Sequence, residues 1–435
     1  MRVSSLERYR LVLEGVKPIK VCGHVKQVVG LVVEAEGPPL RVGDLCRIET
    51  SSGEILAEVS GFRDERLLLL PLGSPIGIEP GNRVYACERA EARVGRELLG
   101  RVINALGEAL DGKPLPYLPE TYPLYNEPLK PFERARITEP LDVGIRAINA
   151  LLTVGKGQRI AIMAGSGVGK STLLGMMARH TRADVNVIAL IGERGREVRE
   201  FIERDLGEEG LRRSVVVVAT ADEPPPLRMR GAYYATAIAE YFRDQGLDVL
   251  FMMDSLTRFC MAGREVGLSV GEPPTARGYT PSVFAQLPRL LERMGPRTEG
   301  GSITGIYTVL VEVDDFTEPV ADAVRAIADG HIVLSRELAQ EGHYPAIDVL
   351  ASVSRLMRDL AEREHYEAAQ ELVKLLAVYR RAEDLINIGA YVRGSNPEID
   401  RALEKIEAVK AFLRQEVEER AGFEESIRAL KEVIS

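Results

Sequence analysis

The chain is short of cysteine and histidine and carries no excess of positive charge, and each shortage removes a class of protein. Its four cysteines are Cys22, Cys46, Cys87 and Cys260. None pairs as Cys-x-x-Cys, and no histidine lies at metal-ligand spacing from them. That argues against a disulfide framework or a zinc site and for reduced, buried thiols in a cytosolic protein. The formal net charge is -9, whereas chains built to coat nucleic acid are usually basic. No apolar run approaches the roughly 18 residues needed to span a bilayer. Any membrane contact is therefore expected to be peripheral. The opening MRVSSLERYRLVLEG alternates charged and apolar residues and has no signal-peptide core. Internal repeats and low-complexity tracts are also missing.

What is present divides into four stretches. The 435 residues allow about two or three domains. In residues 1–18, Leu6, Tyr9, Val12 and Leu13 fall at helical spacing. They suit either a helix packed on its own domain or a docking helix for a partner. Residues 19–92 carry short β-prone runs at 28–34, 55–59, 67–70 and 83–87, separated by Gly and Pro turns. Such spacing predicts a small all-β barrel or sandwich. A Pro-rich linker is expected over 114–131. Within residues 93–358, apolar runs at 159–163, 185–191, 214–219, 249–253 and 302–310 alternate with helical patterns. They predict a mostly parallel sheet covered on both faces, an α/β domain. In residues 359–435 the strand signals stop. Asn396-Pro397 reads as an N-cap followed by proline at the first helical position, and the remainder as a helical bundle.

The chemistry starts at Ala164-Gly165-Ser166-Gly167-Val168-Gly169-Lys170-Ser171-Thr172. This run follows a predicted strand and opens a helix predicted over 170–180, the context a P-loop requires. Glycines let consecutive N–H groups turn around phosphate oxygens, and the helix N-terminus favours negative charge. Lys170 would reach the β- and γ-phosphates, and the Ser171 hydroxyl would ligate magnesium. Ala164 stands where the motif has its first glycine, which asks only for a negative φ. Asp254 ends the run 249–253, where P-loop enzymes hold a magnesium-bound water; it could equally cap the next helix. Glu193 follows the run 185–191 and could deprotonate the attacking water. Glu197 is its rival, one helical turn on, and a solvated ion pair with an arginine is the plain alternative for Glu193.

The order AGSGVGKST, IGERGRE, LFMMDSLTRF resembles the catalytic subunits of rotary ATPases. GEPPTARGY, PSVFAQLPRLLERMG and DGHIVLSRELAQEGHYPAIDVLASVSR are similar to the type III secretion ATPases, and KQVVGLVVEAEGPPLRVGDLC is closest to their flagellar branch. Thr280 departs from the proline of the family's GYPPS run. The resemblance spans about residue 18 to the end. It implies an N-terminal small β-barrel, a central RecA-like P-loop ATPase domain and a C-terminal helical bundle. It also implies ATP and Mg2+ as ligands and Glu193 as catalytic glutamate, with Lys170 on the phosphates and Asp254 on the magnesium side. Arg194 and Arg258 would face phosphate, Tyr344 would stack on adenine, and Arg355 would be an arginine finger acting on a neighbour's nucleotide. A homohexamer is implied, with a stator-like protein at the N-terminal segment, a coiled-coil stalk, export chaperones and substrates, and an export gate at the inner face of the cytoplasmic membrane.

Other readings compete. An ion-translocating rotary ATPase subunit should carry an acidic torque loop, but the corresponding run Gly389-Ala390-Tyr391-Val392-Arg393-Gly394-Ser395-Asn396 has no acidic residue. A ring RNA translocase should offer aromatic platforms and a basic groove in its barrel; residues 19–92 hold only Phe62 and Tyr85 as aromatics, and no specific nucleic-acid partner is expected. A noncatalytic nucleotide-binding subunit has no need for Glu193.

Overall fold

The computed structural model describes residues 21–87, 90–311 and 318–435. The expected docking segment 1–18 lies outside the described residues. The chain divides into two compact units, one ending at Ala90 and one beginning at Glu91, with Ser269–Gly271 grouped with the first.

The first unit is a closed antiparallel barrel of β1 (Cys22–Val29), β2 (Val32–Glu36), β3 (Leu45–Thr50), β4 (Gly53–Arg63), β5 (Arg66–Pro71) and β6 (Arg83–Ala86). The strand order is β1-β2-β5-β4-β3-β6, and β6 pairs back onto β1. Closure leaves no unpaired edge. Alternation along β3 buries Cys46 and Ile48 and exposes Arg47 and Glu49, as a half-buried strand requires. The run expected as one strand over 28–34 is two. Gly30 takes φ 58, a left-handed turn that glycine adopts without steric cost, and the chain reverses there into β2.

The second unit contains β7 (Glu91–Val94), β8 (Arg101–Asn104), β9 (Glu120–Pro123), β10 (Arg159–Ala164), β11 (Val185–Glu193), β12 (Ser214–Thr220), β13 (Asp248–Asp254), β14 (Gly295–Pro296), β15 (Ser302–Leu310), β16 (Gly330–Leu334) and β17 (Ile347–Ser354). Its sheet runs β17-β16-β10-β15-β13-β11-β12-β8, with β14 on the side of β15. Every pair from β16 to β8 is parallel; β17 and β14 are antiparallel to their neighbours.

Both sheet faces are covered. Ile160, Ile162, Ile188, Leu190, Leu250 and Met252 join one core with Leu173 and Met177 of the helix Lys170–His180 and with Leu372, Phe412 and Leu430 of the C-terminal helices. On the other face the helix Pro225–Asp244 lies close. A Cβ on Gly231 would sit 3.1 Å from Ala219 Cβ and from Ile191 Cδ1. The stretch 114–131, expected as a linker, is instead anchored. β9 pairs with β7, Leu118 and Leu124 are buried, and the Leu124 carbonyl accepts a 2.6 Å hydrogen bond from Arg293 Nη1.

The C-terminal part is helical: Arg363–Asn387, Pro397–Leu413 and Phe423–Ile434. Asn396 caps the second of these, its Oδ1 accepting from the Glu398 and Ile399 amides at 3.0 and 3.4 Å.

Candidate active site

Parallel strands bring their C-terminal tips to one edge of a sheet, where ligands of such folds bind. Ala164, Asp254 and Glu193 end β10, β13 and β11 respectively. The loop after β10 turns through Gly167 (φ 78) and Gly169 (φ 87) and starts the helix Lys170–His180. Gly169 is the N-cap, no side chain caps the helix, and its first turn holds no acidic residue. Its leading N–H groups are therefore free for an anion.

Lys170 extends from this helix across the sheet edge. β15 separates β10 from β13, so two strand spacings, about 9–10 Å, must be crossed. A lysine is long enough. Its Nζ hydrogen-bonds Asp254 Oδ1 and lies 3.6 Å from Glu193 Oε1. Thr308 on the intervening β15 donates to the same Asp254 oxygen at 2.7 Å. Burial works against the Lys170 ammonium, but the Asp254 and Glu193 carboxylates outweigh it and raise its pKa. Glu193 responds in the opposite sense to its ordinary acidity. Burial, and then the Asp254 charge, push its pKa up to about 7 against the pull of Lys170, and a hydrogen bond with Glu197 adds to the rise.

The helix that follows Asp254 is capped by its neighbour. The Arg258 amide donates to Ser255 Oγ at 3.3 Å, so Ser255 does the capping and Asp254 is left to Lys170 and Thr308. Arg258 lies over the end of β11. A Cβ on Gly192 would fall 2.6 Å from Arg258 Cβ, which only glycine avoids. The Arg258 Nε is buried with no hydrogen-bond partner, an orphan donor on a side chain packed over Gly192. Arg194 is not brought to this group. Its side chain is 81% exposed and pairs with Glu197 at 3.5 Å.

Tyr344 and Arg355 sit at opposite ends of the sheet. Leu334, at the tip of β16, pairs with Ile347 at the start of β17, and Tyr344 lies just before it. Its ring, half exposed, is the nearest neighbour of the P-loop's Gly169: a Cβ there would meet Tyr344 Cε1 at 3.4 Å. β17 then runs back. Ser354 pairs with Gly330, the Arg355 amide donates to the Asp329 carbonyl at 3.0 Å, and the Asp329 amide donates to the Arg159 carbonyl at 2.8 Å. Arg159 begins β10 and the P-loop follows its end, so roughly 16 Å of strand separates Arg355 from its own P-loop. Its Nη2 donates to the Arg325 carbonyl at 2.8 Å.

Sequence reasoning missed Thr308 and Arg336. The Arg336 Nη2 would stand 3.2 Å from a Cβ on Gly165. Neither position has a spacing signal, because each reaches the site from a different strand or loop. The residues present fit the polyphosphate of a nucleotide: left-handed glycines, an uncapped helix start, a buried lysine and an unpartnered arginine nitrogen. They also fit a divalent cation, since Asp254 and the half-buried Ser171 are oxygen donors beside that cradle.

A lysine drawn from a strand-loop-helix turn onto acidic strand tips defines a P-loop nucleotide-binding ATPase. Comparison with known proteins narrows the class. Residues 144–354 match the ATP synthase alpha/beta family nucleotide-binding domain, 25–88 its beta-barrel domain, and 361–432 the T3SS EscN ATPase C-terminal domain. The chain is 56% identical to the flagellum-specific ATP synthase of Bacillus subtilis over 94% of each chain. It is 49% identical to the type 3 secretion system ATPase of Xanthomonas euvesicatoria, over 94% of this chain and 93% of that one. Among solved structures it matches the assembled ATPase EscN of the enteropathogenic E. coli type III secretion system. That match has a TM-score of 0.89 and 46% identity, covering 95% of this chain and all of EscN. A structure of EscN with its central stalk EscO matches at 46% identity and TM-score 0.88, over 95% of this chain and all of that one. The chain belongs to the family of flagellum-specific and type III secretion ATPases. Its C-terminal domain match separates it from the ion-translocating and RNA-translocating alternatives. No helix among the described residues is long and apolar enough to cross a membrane.

Proposed function

We propose that this chain hydrolyses Mg2+-ATP as one subunit of a homohexameric ring in a flagellar type III export apparatus. The ring works in the cytoplasm, peripheral to the inner face of the cytoplasmic membrane. It couples hydrolysis to releasing export substrates from their chaperones and handing them to the export gate. Residues 1–18 dock a stator-like protein, and a coiled-coil stalk occupies the ring; the EscN complex with a central stalk favours that arrangement.

Residues Gly165, Ser166, Gly167, Val168, Gly169 and Thr172 frame the phosphates with their backbone and the helix start. Lys170 turns its ammonium from the carboxylates to the β- and γ-phosphates, and Arg258 offers its unpartnered Nε. Ser171 and Asp254 would hold Mg2+, which neutralises phosphate charge when bound. Glu193 takes the proton of the attacking water as the water oxygen bonds to the γ-phosphorus and the bond to ADP breaks. A pKa near 7 suits a base working at neutral pH. Tyr344 stacks on the base. Arg194, exposed and paired with Glu197, would have to leave that partner to face the phosphates.

The observation that carries the ring is the place of Arg355. Held at the far end of the sheet from its own P-loop, it can stabilise transition-state charge only on a neighbour's nucleotide, so the site is completed by a second copy. The test measures ATPase rate and particle mass against protein concentration, with Arg355→Ala and Lys170→Ala chains mixed at varied ratios. Activity should climb with assembly, and the two inactive variants should restore turnover at mixed interfaces. Absence of restoration at every ratio refutes action in trans.

A further inference from the structure

Tyr344 is hydrogen-bonded to a residue from another part of the chain. Its carbonyl accepts a 3.0 Å hydrogen bond from the Gln415 amide, and Gln415 lies just past the helix Pro397–Leu413. The Gln415 side chain is buried, and both of its ends are spent inside the protein. Its Oε1 accepts from the Arg146 amide at 2.7 Å. Its Nε2 donates to the Gly144 carbonyl at 2.8 Å and to the Glu419 carbonyl at 2.8 Å. Three of the four hydrogen-bonding positions of this amide are thereby used, and both of its donors are spent inside the protein. So held, it fixes where its own backbone N–H points.

We infer that Gln415 is a positioning residue for the nucleobase: its side chain fixes residue 415 on the ATPase core so that its backbone N–H holds the Tyr344 carbonyl, and with it the ring, against the P-loop. The inference rests on the reading of Tyr344 as the base-stacking residue. The surroundings sharpen it. The backbone on either side of Tyr344 is tied locally, His343 donating to the Leu338 carbonyl at 2.9 Å and Ser335 to the Ala346 carbonyl at 2.8 Å. The Tyr344 carbonyl is tied across the fold, to residue 415. Arg146, Asn149 and Arg179 hold neighbouring carbonyls of the same loop, at Arg414, Ala421 and Val417. The loop as a whole therefore stays docked when Gln415 alone is changed, and the effect falls on residue 415 and on the ring it steadies. Base occupancy and the C-terminal helices are thereby linked through one hydrogen bond.

Gln415→Met tests this in the full chain, because it keeps the volume and removes three hydrogen bonds; Gln415→Ala is the second variant. Affinity is measured for ATP and, as the probe without a base, for inorganic tripolyphosphate. Stacking of a base on an aromatic ring is worth roughly 5- to 150-fold in affinity, and Tyr344→Ala should lose about that much. The Gln415 variants should raise KM for ATP about three- to tenfold, with kcat and tripolyphosphate affinity within about twofold of the parent. Combined with Tyr344→Ala they should weaken ATP no further, as expected of residues acting through one contact. Unchanged KM in both Gln415 variants, or equal loss of ATP and tripolyphosphate affinity, overturns the inference. If Tyr344→Ala itself leaves ATP affinity intact, the base-stacking reading fails, and the Gln415 inference with it.

Discussion

Glu193 makes a prediction that an ordinary carboxylate would not. Burial and the Asp254 charge push its pKa up to about 7, from the ordinary glutamate value of 4.5. The pH dependence of kcat/KM reports groups of the free enzyme. If Glu193 must be ionised to accept a proton, about half the chains are competent at pH 7, about one in eleven at pH 6 and about ten in eleven at pH 8. kcat/KM should therefore rise about tenfold from pH 6 to pH 8, with a slope of one on the acid side. A glutamate at 4.5 would give a flat profile over that range. Glu197 shares a hydrogen bond that raises the Glu193 pKa, so Glu197→Gln should move the acid limb to lower pH. Glu193→Gln supplies the control: its residual rate should lack the limb. Steady-state ATPase rates at saturating Mg2+ and limiting ATP, across pH 5.5–9, measure all three chains. A flat wild-type profile, or the same limb surviving in Glu193→Gln, would refute Glu193 as the base.

Glu193→Gln should keep nucleotide binding while kcat falls about 100-fold or more, the usual scale for loss of a general base; normal turnover would pass the role to Glu197 or another group. Lys170→Ala should lose both binding and turnover, because it removes the ammonium shared by Asp254 and Glu193; retained hydrolysis would contradict the P-loop assignment. Away from the site, Glu240 pairs with Arg293 through bonds of 2.9 and 2.7 Å, both side chains being almost wholly buried. Glu240→Ala should cost about 3–5 kcal/mol by denaturant unfolding, since it strands a buried guanidinium, whereas Glu240→Leu with Arg293→Met should recover most of that loss.

Much of the fold could be read from periodicity because the sheet is buried on both faces. Central strands such as β15 and β13 then become near-continuous apolar runs that stand out from their surroundings. The signal weakens at the edges. β8, β16 and β17 are flanked on one side only or carry mixed polarity. In β17, Ile347 and Val349 are buried while Ala351 and Val353 are exposed, so no clean alternation marks it. The stretch 114–131 misled for another reason. Prolines there announce a break in regular structure, but they say nothing about whether Leu118 and Leu124 find a core.

The site divides along the same line between local and long-range information. The P-loop is legible because one turn contains everything it needs: glycines with the required φ, the helix start and the lysine. Asp254 and Glu193 are legible as strand tips, but their partnership with Lys170 depends on β13 lying two strands from β10, an order that sequence spacing does not encode. Thr308 escaped for that reason, since it matters only because β15 separates the two. Glu193's pKa is likewise a property of the assembled edge, set by burial and by Asp254 rather than by the residues beside it in sequence. Arg355 is the extreme case. Its local run, Ser-Val-Ser-Arg, allows a surface salt bridge as readily as a finger. Only the reversal of β17, which carries it some 16 Å from its own P-loop, turns an exposed arginine into an argument that the catalytic unit is larger than one chain.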